Sequence, residues 1–150
     1  MTKATDSTET ARKAWMGLLA RARPDRLAAL LPDLPAHVTL RPAEVGAVMV
    51  RGRIGGLGAP FNLGEMSVTR CSVRLDGGAV GHAHVQGRDK AHARRAAVVD
   101  ALMQTAEAAT VQGAVLAILA EEEAARRLAR AERAAATKVE FFTLVRGEDK

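Results

Sequence analysis

The chain has no tyrosine, one tryptophan and three phenylalanines in 150 residues. Proteins that hold single-stranded RNA or DNA offer the bases a platform of aromatic rings, so this scarcity argues against a base-stacking sheet. A single cysteine, Cys71, excludes an internal disulfide. It lies in the strand-like stretch MSVTRCSVRL, where it reads as a small buried side chain, and a lone thiol fits the reducing cytoplasm. The longest apolar run, AVLAILA, is too short to span a bilayer, and the opening MTKATDSTETARKAW lacks the apolar centre of a signal peptide. The serines Ser7, Ser67 and Ser72 fall in no nucleophile motif, and no carboxylate pair can be assigned from spacing. These absences predict a cytoplasmic protein with no membrane segment and no catalytic constellation of its own.

What the chain does have is positive charge and small aliphatic residues. Twenty-two Lys and Arg against seventeen Asp and Glu leave a formal charge of +5, which favours a polyanionic partner: nucleic acid, a nucleotide or an acidic protein surface. A small basic nucleic-acid-binding module is therefore one functional reading. The length suits one domain over 1–150 with one modest core, and residues 1–5 are expected to be disordered.

Asp6 and Glu9 form a capping-box pattern ahead of ARKAWMGLLARA, a helix whose apolar face holds Trp15, Leu18 and Leu19. Pro24 suits the first turn of a second helix, PDRLAALL. The β-branched runs HVTLR, VGAVMVRGRI, MSVTRCSVRL and AVGHAHVQ predict three or four antiparallel strands, the last two joined by a hairpin turn at Asp76, Gly77 and Gly78. Helix resumes near Asp89 and runs through AHARRAAVVDALMQTAEAA. A further helix after Gly113 pairs Glu122 with Arg126 and Glu123 with Arg127 at i,i+4. Beyond Leu119 it has only Leu128 as a large apolar residue, so its second half is either a solvated rod or lies on another subunit. The tail VEFFTLVRGEDK could be a strand or a docking segment. The fold class is α+β: a small antiparallel sheet of three to four strands with two N-terminal helices and two longer C-terminal helices.

Three stretches could bear chemistry. His82 and His84 share one face of a strand and could hold a metal, with His92 as a third ligand, but no Cys or His partner stands at metal-like spacing elsewhere. The default reading is a half-exposed strand, with no metal. In QGRDKAHARR, Gly87 ends the strand and Asp89 is a good N-cap. The free N–H groups and dipole of the helix start attract anions, and Arg88 and Lys90 would strengthen a phosphate site. At about 100° per residue, Val98, Val99, Leu102 and Met103 form a buried stripe that extends backward through Arg95, His92 and Arg88, a placement for an anion pocket or a subunit interface. Lys90 and Arg94 fall on the other side. The loop RGRIGGLGAPFNLGE, with Arg51 and Arg53, is glycine-rich but meets neither the P-loop nor the dinucleotide pattern, so a mobile or interface-ordered loop is the simpler reading.

Taken together, RKAWMGLLARA, IGGLGAPFNLGEMSVTRCSVRL, VQGRDKAHARRAAVVDALMQ and VEFFTLVRGED resemble one family, the G subunit of the bacterial carbon-phosphorus lyase core complex. The matching segments are spread over nearly the whole chain, with 110–137 the weakest part. The resemblance implies a hetero-oligomer with H, I and J partner subunits, joined functionally by an L protein. It implies a reaction in which an alkylphosphonate displaces adenine from the ribose of MgATP, giving a ribose 1-phosphonate 5-triphosphate. MgATP is then a substrate of the complex, and no cofactor is expected on this chain alone. The nucleosidase-like chemistry is associated with the I partner, and the resemblance assigns no catalytic residue here. Arg88, Asp89, Lys90 and His92 fall inside the matching segment, whereas His82 and His84 lie just before its VQGRDK motif.

Overall fold

The computed structural model describes residues 3–138, with side chains from Thr8 onward. Met1 and Thr2, part of the expected disordered start, and the tail VEFFTLVRGEDK lie outside the described residues. Helix α1 spans Lys3–Arg21, so the helix does not start at the Asp6 capping box. Lys3 to Met16 contains neither glycine nor proline, and nothing stops the helix from running one turn further back. Helix α2, Pro24–Leu30, begins with the expected proline in its first turn.

Strands β1 (His37–Arg53), β2 (Pro60–Leu75) and β3 (Val80–Gln86) form one antiparallel sheet in that order. HVTLR and VGAVMVRGR are thus one strand. Register shifts between Thr39 and Glu44 absorb the interruption at Pro42, which has no N–H to give and is tolerated because β1 is an edge strand. The β2–β3 turn is closed by the Leu75 amide donating to the Ala79 carbonyl (2.9 Å) and the Gly78 amide to Leu75 (2.8 Å). Gly78 takes the positive φ of 89° that the turn requires.

Helix α3 (Lys90–Leu102) lies across β2 and β3 and is flanked by α1, α2 and the C-terminal helical run. It is buried nearly all round: Ala93, Ala96, Ala97, Val98, Val99 and Ala101 are all within 1 % of full burial. They meet Cys71, Val73 and Leu75 of β2, Ala83 and Val85 of β3, Leu19 and Leu27. Small residues allow this approach, and at Gly81 any Cβ would run into the Ala97 carbonyl oxygen. Burial pushes the Cys71 thiol pKa up, opposed by the charge of Arg94 and a backbone hydrogen bond.

Two helix boundaries differ from expectation. α3 stops at Leu102 instead of running through to Ala109, because side chains take its last carbonyls: Gln104 Nε2 donates to Asp100 O (2.8 Å) and Thr105 Oγ1 to Leu102 O (2.7 Å), while Gln104 Nε2 also reaches Val80 O of β3 (2.8 Å). The following run starts before Gly113: α4 (Ala108–Val111) passes through a π-helical turn (Gln112–Ala117) into α5 (Ile118–Ala136). Arg21 and Arg26 reach α5 at Glu123 and Glu122, each at 2.6 Å, and Arg127 pairs with Glu123 at 2.9 Å as its spacing predicts. Beyond Leu119 no residue of α5 is buried, and Leu128 is exposed. No helix among the described residues is long and apolar enough to cross a membrane.

Candidate functional site

The β3–α3 junction is built by backbone requirements. Gly87 adopts a φ of 88°, its amide donates to Ser67 O (2.9 Å), and its carbonyl accepts from Thr69 Oγ1 (2.8 Å). Asp89 caps α3 by accepting from the His92 amide at 2.9 Å, so a carboxylate already occupies part of the N–H cradle at this helix start. Arg88 and Lys90 stand exposed on either side of it.

His92 and Arg95 do lie on the inward side of α3, as their angular positions predict, but they turn toward backbone carbonyls. His92 is 2 % exposed, with Nε2 3.0 Å from Leu19 O. That contact requires the proton on Nε2, which leaves Nδ1 a buried acceptor without a partner. Burial lowers the His92 pKa, opposed by the Leu19 hydrogen bond and the Asp89 charge. Arg95 donates through Nε to Leu31 O (3.1 Å) and through Nη2 to Pro32 O (3.5 Å), tying down the end of α2. The structure therefore brings Arg88 and Lys90 to one exposed place and directs His92 and Arg95 into the chain.

His82 and His84 are exposed on the sheet face away from α3. His82 Nδ1 is 2.8 Å from Oγ of Ser72, its directly opposed cross-strand neighbour. No carboxylate among the described residues bonds the other ring nitrogen, so this Ser–His contact lacks the third member of a triad. His92 is committed elsewhere, and no group of three or more His, Cys, Asp or Glu among the described residues is placed to hold a metal.

Much of the glycine-rich loop is strand. Pairing between β1 and β2 continues to Arg53↔Pro60, whereas β3 pairs only as far as Val68↔Gln86. From Ser67 outward the two strands form an arm about 23 Å long at ~3.3 Å per residue. Gly55 and Gly56 turn its tip at φ of 57° and 82°, and Gly58 admits the Ile54 carbonyl, which its amide bonds at 2.7 Å. The arm exposes Met49 (52 %), Ile54 (65 %), Leu57 (95 %), Phe61 (40 %) and Leu63 (65 %). Phe61 and Leu63 share the face of Gly52, to which both lie close, whereas Met49, three residues from Gly52 along β1, points to the opposite face with Arg51 and Arg53. A bare two-stranded ribbon is marginal in water, and one that exposes this much apolar surface marks an interaction site.

Sequence reasoning missed Asp100, which sits fully buried in α3. It accepts from Arg12 Nε (3.1 Å) and Nη2 (2.6 Å), from the Trp15 indole (2.9 Å) and from the His82 amide (2.8 Å). One carboxylate thus joins α1, β3 and α3 and caps an N–H of the sheet edge.

No described group supplies a nucleophile with a complete relay, while an apolar arm is left uncovered. Comparison with known proteins shows why such a chain exists. The family described as "Phosphonate metabolism protein PhnG" matches residues 10–147. The chain belongs to the PhnG family. A relative from Rhizobium meliloti (strain 1021), named "Alpha-D-ribose 1-methylphosphonate 5-triphosphate synthase subunit PhnG", is 48 % identical over 96 % of this chain and 94 % of its own length. The resemblance seen in the sequence segments is thereby borne out, and the nucleic-acid-binding reading gains no support from it. The PhnG relative is itself named as a subunit of a synthase.

Proposed function

We propose that this chain is the G subunit of a phosphonate ribosyl-triphosphate transferase. It acts with H, I and J subunits and an L protein to transfer ribose 5-triphosphate from MgATP to an alkylphosphonate, with loss of adenine. The observation that carries this reading is the near full-length match at 48 % identity to a named synthase subunit. The uncovered arm supports a non-autonomous role: Phe61 and Leu63 on one face and Leu57 near the tip are the surface on which a partner subunit would settle, with Met49, Arg51 and Arg53 on the opposite face. Arg88 and Lys90, exposed at the junction, would contact that partner or a phosphate, while His92 and Arg95 hold the junction in place. The assembly would work in the cytoplasm, where MgATP is available.

The test is recovery of the tagged chain from its host grown on methylphosphonate, followed by assay for adenine release from MgATP. The expected result is co-purification of partner proteins and adenine release that stops when this chain is omitted. A chain that purifies alone, with adenine release unaffected by its absence, refutes the assignment.

A further inference from the structure

We propose that the cleft between the end of α1, the end of β3 and the middle of α5 binds a chain of phosphates. The cleft encloses about 340 Å³ and is lined by Arg21, Gln86, Glu123, Arg126, Arg127 and Arg130. Four guanidiniums face one carboxylate. Glu123 accepts from Arg21 at 2.6 Å and from Arg127 at 2.9 Å, which commits those two. The carboxylate nearest Arg126 is Glu122, at 4.0 Å, and Glu122 already accepts from Arg26 at 2.6 Å. Arg130 has no ion pair with any described residue. Two arginines one helical turn apart are therefore left without close neutralisation in the lining of a concave polar site.

Such an arrangement is costly when empty, since like charges at i,i+4 repel, and a concave surface of one sign focuses its field on an incoming anion. Guanidinium forks match phosphate oxygens two at a time. The separation of Arg126 and Arg130 along α5, about 6 Å, suits a ligand with more than one phosphate. The cleft shares Arg21, Glu123 and Arg127 with an adjoining groove of about 620 Å³ floored by Trp15, Leu18, Met103 and Leu116. The phosphate chain could therefore be free or attached to a nucleoside whose base lies in that groove. The inference rests on the proposed function only in making a triphosphate the ligand at hand.

Equilibrium binding of inorganic triphosphate to the assembly in which the full chain purifies tests the proposal. Arg130→Ala should weaken binding about tenfold, the loss of one charge-assisted contact, and Arg126→Ala with Arg130→Ala should weaken it further. Arg130→Lys should fall between, and Arg94→Ala, on the exposed side of α3, should leave binding unchanged. Affinity for ATP above that for triphosphate would assign a nucleoside-linked ligand, and equal affinity the phosphate chain alone. The proposal is overturned if triphosphate does not bind at low salt or if Arg94→Ala weakens binding equally. It is also overturned if the double variant loses its partner proteins while binding triphosphate normally, which would make the cleft a protein contact. Arginine-dependent binding by a chain that never joins a synthase would instead sink the proposed function and leave the cleft standing.

Discussion

Replacing Asp100 with alanine removes the one acceptor that three elements share. The Trp15 indole and the His82 amide, which donate to it at 2.9 and 2.8 Å, would be left without their partner, at about 1–3 kcal/mol each. Arg12 adds less, because its side chain is 33 % exposed and can turn to water. A total of about 3–4 kcal/mol falls in the range for breaking a buried charge pair. For a chain of this size that lowers Tm by roughly 10 °C. Asp100→Asn should recover no more than half of the loss: one oxygen remains, but the new amide NH₂ must face Arg12 together with either the Trp15 indole or the His82 amide, all of them donors. Thermal unfolding followed by far-UV circular dichroism gives the stability, and Trp15, the sole tryptophan, reports locally by its emission. If Asp100→Ala unfolds within about 3 °C of the parent and leaves the emission unchanged, the hydrogen-bonded hub has been misread.

Two further outcomes follow from other places in the fold. Leu63→Asp, at a 65 % exposed side chain on the Phe61 face of the arm, should leave the isolated chain's stability within about 0.5 kcal/mol yet cut partner affinity at least tenfold in a co-purification titration; unchanged affinity removes the arm from the interface. His92, whose pKa is lowered from its ordinary value of 6.5 by burial, binds a proton less readily folded than unfolded. Its stabilising contribution is therefore complete above pH 6.5 and is lost as pH falls from there through the folded value, with a slope of at most about 1.4 kcal/mol per pH unit. Urea unfolding between pH 5 and 8 should show that slope in the parent and not in His92→Gln, and equal slopes would refute it.

The parts of this fold written locally were legible. Asp76-Gly77-Gly78 names its own turn, Pro24 its helix start, and the alternation of β2 and β3 their strands. The angular position of His92 and Arg95 was also readable, because helical period alone sets it. What they bond was not: Leu19 O, Leu31 O and Pro32 O are backbone atoms more than 60 residues away, and a carbonyl leaves no signature in sequence. Asp100 was hidden for a related reason. In AAVVDALM it looks like the solvent-facing position of an amphipathic helix, and only the complete burial of α3 from Ala96 to Ala101 turns it into a hub. The glycine-rich loop misled in a different way, since four glycines suggest irregular backbone while the pairing Met49↔Glu65 to Arg53↔Pro60 continues the ladder.

The arm, the junction cations and the arginine cleft gather at one end of the sheet. β3 stops at Gln86, and there the arm departs: Gly87 bonds Ser67 at its root, Arg88 and Lys90 follow at once, and Gln86 itself lines the arginine cleft. At the opposite end, the Asp76–Gly78 turn is closed by its own hydrogen bonds, and the uncovered apolar side chains there are Val38 (51 %) and Leu40 (48 %) on the β1 edge strand. A subunit that settled on the apolar face of the arm would approach the end of the sheet where the cleft and the exposed cations lie. It would remove water from around those cations, and charge-assisted contacts to phosphate strengthen as the local dielectric falls. Assembly and anion binding are then expected to reinforce each other, with triphosphate binding more tightly to the assembly than to the chain alone and losing that advantage in Leu63→Asp. Equal affinity in both forms would show that the arm and the cleft act independently.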